Sequence, residues 1–148
     1  MGVLADAALA AGATVIGVAP SRLLEREVVH HDLAELHIVE TMLERKTLMA
    51  ELSDAFIALP GGFGTLDELF EMLTWTQLGF QHKPCALLNV AGYFDGLMGF
   101  LDHAVDQRFV TPAHRAMLLV EDDPESVLAR LQSARLPETG KWIGRDAS

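Results

Sequence analysis

Cysteine is almost missing from this chain of 148 residues, where Cys85 stands alone. One thiol cannot close an internal disulfide, and Cys85 lies in an apolar run, so a buried, inert side chain is expected. Lysine is nearly as scarce, with only Lys46, Lys83 and Lys141. Basic residues number 11 against 21 acidic ones, for a formal net charge of −10. A surface that tracks a nucleic-acid backbone needs clustered Lys and Arg, so this balance argues against one. It still allows a small phosphorylated ligand, which needs only a local positive pocket. Long apolar runs are missing too: nothing reaches the roughly 20 residues of a membrane helix. The apolar start carries Asp6 and no basic flank. It reads as a helix rather than an export signal, and a cytoplasmic protein is expected. His30 and His31 have no third ligand at a recognisable spacing, so neither a metal nor a cofactor is expected. Half of the residues are hydrophobic, which suits one globular domain over 1–136 followed by a polar tail over 137–148.

What is present is organised around Ala55 to Glu71, AFIALPGGFGTLDELFE. The apolar run Ala55–Leu59 has the length and composition of a buried strand, and Pro60 closes it. Gly61, Gly62 and Gly64 follow, residues that can take positive φ or let a ligand approach without a Cβ in the way. Thr65 reads as the cap of a helix that runs to about Leu78, with Glu68 three residues on. Strand, glycine loop and helix N-terminus form an anion site, because unsatisfied N–H groups and the positive end of the helix dipole face the loop. A phosphate is the inferred ligand. The same residues also fit a plain strand-to-helix turn in which Glu68 only completes a capping box with Thr65. Two familiar phosphate loops do not match. No lysine closes the run as in a P-loop, and Asp67 occupies the third small-residue position of the dinucleotide fingerprint.

Around this stretch the chain alternates helix and strand. Helices are predicted over Gly2–Ala11, with Leu4, Ala5, Ala8 and Leu9 on one face and Gly12 as cap, over Thr41–Leu52, within Tyr93–Phe109, and over Pro124–Leu131. Strands are predicted over Thr14–Val18, Glu35–Val39, Cys85–Val90 and Met117–Val120. Apolar strands without period-two polarity point to a parallel sheet covered on both faces. Thr41 and Glu44 repeat the capping-box pattern, which puts Arg45 and Lys46 near a helix N-terminus. Cations there cost on the order of half a kcal/mol each. A helix that carries them either pairs Lys46 with a neighbouring acid or uses the charges on a ligand. In a doubly wound sheet that helix end and the glycine loop open at the same edge, so both are expected to face one cleft. Trp75 lies in the apolar stripe of Leu66, Leu69, Phe70 and Leu73. It reads as core or subunit contact, with stacking on a base as the other use.

Pro60-Gly61-Gly62-Phe63-Gly64-Thr65-Leu66-Asp67-Glu68 resembles the PGGxGTxxE signature of the Lonely Guy family of nucleoside 5′-monophosphate phosphoribohydrolases, often labelled lysine decarboxylases. Met42-Leu43-Glu44-Arg45-Lys46 resembles the family's MHxRK motif, with Leu43 in place of the histidine. The resemblance runs from Met1 to about Arg135. It implies a Rossmann-like doubly wound α/β fold and at least a homodimer. The implied reaction is hydrolysis of the N-glycosidic bond of AMP or an N6-modified AMP to free base and ribose 5-phosphate. Catalysis falls to Arg45 and Glu68. Substrate binding falls to Met42, Arg45, Lys46, Gly61, Gly62, Gly64, Thr65 and Glu68. Decarboxylation of lysine would need pyridoxal phosphate on a lysine, and none of the three lysines has that context. A non-catalytic alternative is the similar molybdenum-cofactor carrier proteins, which bind a phosphorylated pterin; a nucleotide-sensing module is another.

The family begins with a strand and a glycine-rich turn that ends in a Gly-Leu-Met-Gly type sequence. Met1-Gly2-Val3-Leu4 matches the end of that turn. The first, central strand and half of the phosphate cradle are therefore expected to be absent from the 148 residues. Poor solubility or weak activity is expected, with recovery on an upstream in-frame extension.

Overall fold

The structure, a computed structural model, describes residues 2–24, 33 and 35–136. The pair His30-His31 and the polar tail 137–148 lie outside the described residues. The chain forms two compact units, Met1–Ser53 and Asp54–Ser148. Each carries parallel strands with helices beside them, the expected α/β arrangement.

The first unit opens with α1 (Gly2–Ala10). Gly12, at φ 79°, ends it. The Gly12 N–H donates to Leu9 O and the Ala13 N–H to Ala8 O, both at 2.9 Å, the paired bonds of a Schellman cap. Ala5, Ala8 and Leu9 are half-buried as expected, whereas Leu4 is exposed. Strand β1 (Ile16–Pro20) starts two residues later than predicted and runs two residues further, with Pro20 as its last residue. A proline is tolerated there because the end of a ladder needs no further donor. β1 pairs in parallel with β2 (Glu35–Val39), from Ile16↔Glu35 to Pro20↔Val39. A short helix, α2 (Ser21–Leu24), follows β1, and α3 (Met42–Leu52) follows β2. Thr41 caps α3 as predicted, its hydroxyl accepting from the Glu44 N–H at 3.1 Å. The reciprocal bond is displaced by one residue: the Glu44 carboxylate accepts from the Glu40 N–H at 2.9 Å, not from Thr41.

The second unit holds three parallel strands in the order β3 (Phe56–Ala58), β4 (Cys85–Leu88), β5 (Leu118–Glu121). β4 lies in the middle, and all four of its residues are buried. Ala86 and Leu88 form a core cluster with Val127 and Leu131 of α7 (Pro124–Gln132). Cys85 and Leu87 alternate with them and point to the other face. β3 is shorter and less enclosed than its apolar sequence suggested: Ala58 is buried, Phe56 is half-buried and Ile57 is exposed. Between β3 and β4 runs α4 (Phe63–Gln77), which packs on both strands. Its buried line is Leu69, Met72 and Thr76. The predicted stripe residues Leu66, Phe70, Leu73 and Trp75 are only half-buried. Gly79, at φ 77°, ends the helix as predicted, with the Phe80 N–H donating to Trp75 O at 2.8 Å. A tight turn after β4 leads into α5 (Asp95–Asp106). The one-turn helix α6 (Pro112–Arg115), unforeseen in the sequence, precedes β5.

Burial of Cys85 pushes its thiol up from 9.0 to about 12, because the thiolate would lose its hydration. In the native protein Cys85 should react very slowly with Ellman's reagent at pH 8 and fully once guanidinium is added. The unfolded chain gives up this proton near pH 9 and the folded chain near pH 12. The contribution to stability is therefore intact below pH 9 and is lost as pH rises towards 12. Urea melts at pH 8, 9.5 and 11 measure that loss. Rapid labelling without denaturant would contradict the buried placement.

Candidate active site

The glycine loop leaves β3 through Leu59 and Pro60. Helix α4 starts earlier than the sequence suggested. Gly62 is its cap residue, at φ −95° and ψ −151°, and its carbonyl accepts from the Leu66 N–H at 3.1 Å. Thr65 is thus the third residue of the helix rather than its cap, and the proposed Thr65–Glu68 capping box does not form. Each residue added at the front of a helix fixes one more turn bond, which offsets the roughly 1 kcal/mol that Gly64 costs in a helix. No side chain caps this end. The first-turn amides of α4 have no intrahelical acceptor, as at any helix start, and the positive end of the dipole coincides with the loop.

The three glycines are there for different reasons, and positive φ is not among them. At Gly61 a Cβ would collide with the Thr65 side chain, reaching Thr65 Cβ at 2.9 Å and its hydroxyl closer still. Gly61 is therefore small so that Thr65 can fold back over it. At Gly62 and Gly64 a Cβ would meet nothing within 4 Å. The chain's own packing leaves open space above both residues. Gly62 and Gly64 thus present bare backbone at a helix start, the form a phosphate cradle takes.

Glu68 lies three residues after Thr65, about 4.5 Å along the axis. The pair shares a helix face with Met72, so Glu68 projects on the Thr65 side of α4. It is half-buried. The structure therefore gathers Gly61, Gly62, Gly64, Thr65 and Glu68 around one helix start. A different face of α4, carrying Phe63, Leu66, Asp67, Phe70, Glu71, Thr74 and Trp75, lines a shallow groove of about 580 Å³. Trp75 belongs to that groove face.

In the other unit, Met42, Arg45 and Lys46 occupy the first turn and a half of α3, as predicted. Met42 and Leu43 are exposed; Arg45 and Lys46 are half-buried. Arg45 Nε donates to the Val18 carbonyl of β1 at 3.1 Å. That bond fixes the plane of the guanidinium and ties α3 to β1. Among the described residues, no group of three or more His, Cys, Asp or Glu is placed to hold a metal ion. No helix there is long and apolar enough to cross a membrane.

One residue at the loop escaped the sequence reading. The Tyr93 hydroxyl donates to the Gly61 carbonyl at 2.8 Å, across 32 residues of sequence. No local pattern marks Tyr93, because the contact exists only once β3 and β4 are paired.

A family profile described as "possible lysine decarboxylase" matches residues 1–131. A Rhodococcoides fascians protein named cytokinin riboside 5′-monophosphate phosphoribohydrolase is 51% identical over 134 residues, 90% of this chain and 68% of that protein. An Arabidopsis thaliana protein of the same activity name is 43% identical over 132 residues, 89% of this chain and 62% of its own length. A rice protein, probable bearer of that activity by name, is 44% identical over 133 residues, 90% of this chain and 53% of its length. The chain thus spans between 53% and 68% of these relatives. With the PGGxGTxxE run at the start of α4 and the Arg45-Lys46 motif on α3, the chain belongs to this family, which includes the Lonely Guy phosphoribohydrolases.

Proposed function

We propose that this protein hydrolyses the N-glycosidic bond of a nucleoside 5′-monophosphate, AMP or an N6-modified AMP, to free base and ribose 5-phosphate. The observation that carries the reading is the pair Gly62 and Gly64: bare backbone at the start of α4 that the fold itself does not require. The names of the relatives supply the substrate class.

The roles follow from charge and position. The amides around Gly61, Gly62, Gly64 and Thr65 receive the 5′-phosphate. Water bonds to C1′ as the C1′–N bond breaks. The bonding pair leaves with the base, which takes up a proton, and the water loses one. The ribose ring gains positive character on the way. Glu68, one helical turn beyond the cradle, binds the ribose hydroxyls and stabilises that charge. Arg45, its guanidinium plane fixed at Val18 O, is the other proposed catalytic residue and orients the nucleotide. Lys46 adds positive charge for the phosphate, and Met42 offers an apolar contact. Leu43 stands where the motif has histidine and cannot make the polar base-side contact that an imidazole could. The protein acts in the cytoplasm as a homodimer or larger homo-oligomer. The apolar groove on α4, with Phe63 94% exposed at its end, supports the self-association.

Base release from AMP should exceed that from adenosine by at least about 100-fold, because phosphate binding energy positions the sugar. Chromatographic assay for free adenine measures this, and equal rates on both would sink the reading. Glu68→Gln keeps shape and loses charge. It should lower kcat about 100-fold or more while the melting temperature and AMP binding stay near wild type. A variant with a lower melting temperature and normal activity in its folded fraction would assign Glu68 to structure instead. Arg45→Ala should lose activity comparably. It should also lose about 1 kcal/mol of stability with the Val18 bond, so its rate is compared at equal folded fraction. A rate left unchanged would remove Arg45 from the site.

A further inference from the structure

Tyr93 sits in an unusually constrained turn. β4 hands over to Asn89, whose N–H continues the sheet by donating to Glu121 O at 2.7 Å. The Asn89 side chain then locks the turn from inside: its Nδ2 donates to Asp95 Oδ1 at 2.8 Å, and its Oδ1 accepts from the Phe94 N–H at 2.7 Å. Two successive residues take left-handed backbone, Ala91 at φ 52° and Gly92 at φ 72°. For alanine that conformation is unfavourable, because its Cβ crowds the following carbonyl. At Gly92 an added Cβ would lie 2.6 Å from Asp95 Oδ2. Phe94 is buried, and its ring meets the Tyr93 ring edge-on, with centroids 4.9 Å apart. All of this holds a half-exposed tyrosine in one place, with its hydroxyl on the Gly61 carbonyl.

The Gly61–Gly62 peptide is the one in the loop that most needs holding. It lies between two glycines, so no Cβ opposes rotation of the whole peptide plane. A trans peptide directs its N–H opposite to its C=O. Whatever holds the Gly61 carbonyl therefore also aims the Gly62 N–H. We propose that Tyr93 is a positioning residue for the anion cradle: by binding the Gly61 carbonyl it selects the peptide orientation that turns the Gly62 N–H away from the tyrosine and towards the bound phosphate. The proposal rests on the reading of the glycine loop as the phosphate site. The strained turn at Ala91 and Gly92 holds the tyrosine in register before any ligand arrives, which reduces the ordering cost of binding.

The test is Tyr93→Phe, which keeps the ring and its packing on Phe94 and removes only the hydroxyl. The Michaelis constant for AMP should rise about three- to tenfold, the loss of one hydrogen bond's worth of organisation, with kcat changed less than twofold. The inhibition constants of inorganic phosphate and ribose 5-phosphate should rise by the same factor. Inhibition by free adenine, which has no phosphate, should stay constant, and the melting temperature should move by no more than a degree or two. Unchanged constants for AMP and phosphate in Tyr93→Phe, beside an active wild type, would overturn the positioning role alone. Equal weakening of phosphate and adenine would also overturn it, because a general loosening of the fold does not discriminate between them. A wild-type protein that neither releases base from any monophosphate nor binds phosphate would instead overturn the cradle reading, and this proposal with it.

Discussion

Parallel pairing of β4 with β3 on one side and β5 on the other is the constraint on which the second unit depends. The register Ala58↔Leu87 brings the carboxyl ends of β3 and β4 to the same edge of the sheet. Pro60 and Gly61 leave from the first, Asn89 and its turn from the second. Only this alignment lets a hydroxyl on Tyr93 reach a carbonyl on Gly61. A slip of one residue in β4 would exchange the faces of Cys85 and Leu87 with those of Ala86 and Leu88. It would also displace the turn by about 3.3 Å along the strand, more than a hydrogen bond can span. The burial of all four β4 residues is what makes such a slip costly.

The loop shows how one residue type serves unlike purposes within a short run. Gly61 is small because Thr65 occupies the space where its Cβ would be. Gly62 and Gly64 are small without any demand from the packing around them. Gly64 even stands inside the first turn of α4, where glycine weakens a helix. Gly62 and Gly64 share this freedom with Gly96 and Gly99 of α5; what sets them apart is their place in a glycine loop at the start of α4, where the proposed anion would approach. Arg45 shows the converse economy. Its Nε is committed to the Val18 carbonyl, so the charged side chain proposed for catalysis also fastens α3 to β1.

The order of elements was legible from the residues. Hydrophobic runs of three to five residues alternate with helical segments, and that pattern alone distinguishes parallel α/β from other classes. The helix ends at Thr41, Gly12 and Gly79 were legible too, because side-chain caps and left-handed glycines act within a few residues. The start of α4 was not. Threonine is a strong cap in isolation, yet Gly62 takes that place here. The burial of β3 was overread for a related reason: composition reports how apolar a strand is, not how many neighbours enclose it.

The motif resemblance supplied the candidates Arg45 and Glu68, while the residues alone determined the α/β class, the position of the glycine loop between a strand and a helix, and the inertness expected of Cys85. Each of these depends on interactions between residues close in sequence or on simple apolarity. Tertiary structure decided the rest: which glycine yields to Thr65 and which are open, where α4 begins, that Arg45 is tied to Val18, and that Tyr93 holds Gly61. The first two are settled within the loop by where the backbone is placed, and the last two depend on contacts between segments 27 and 32 residues apart, which come into being only when the parallel strands settle into register.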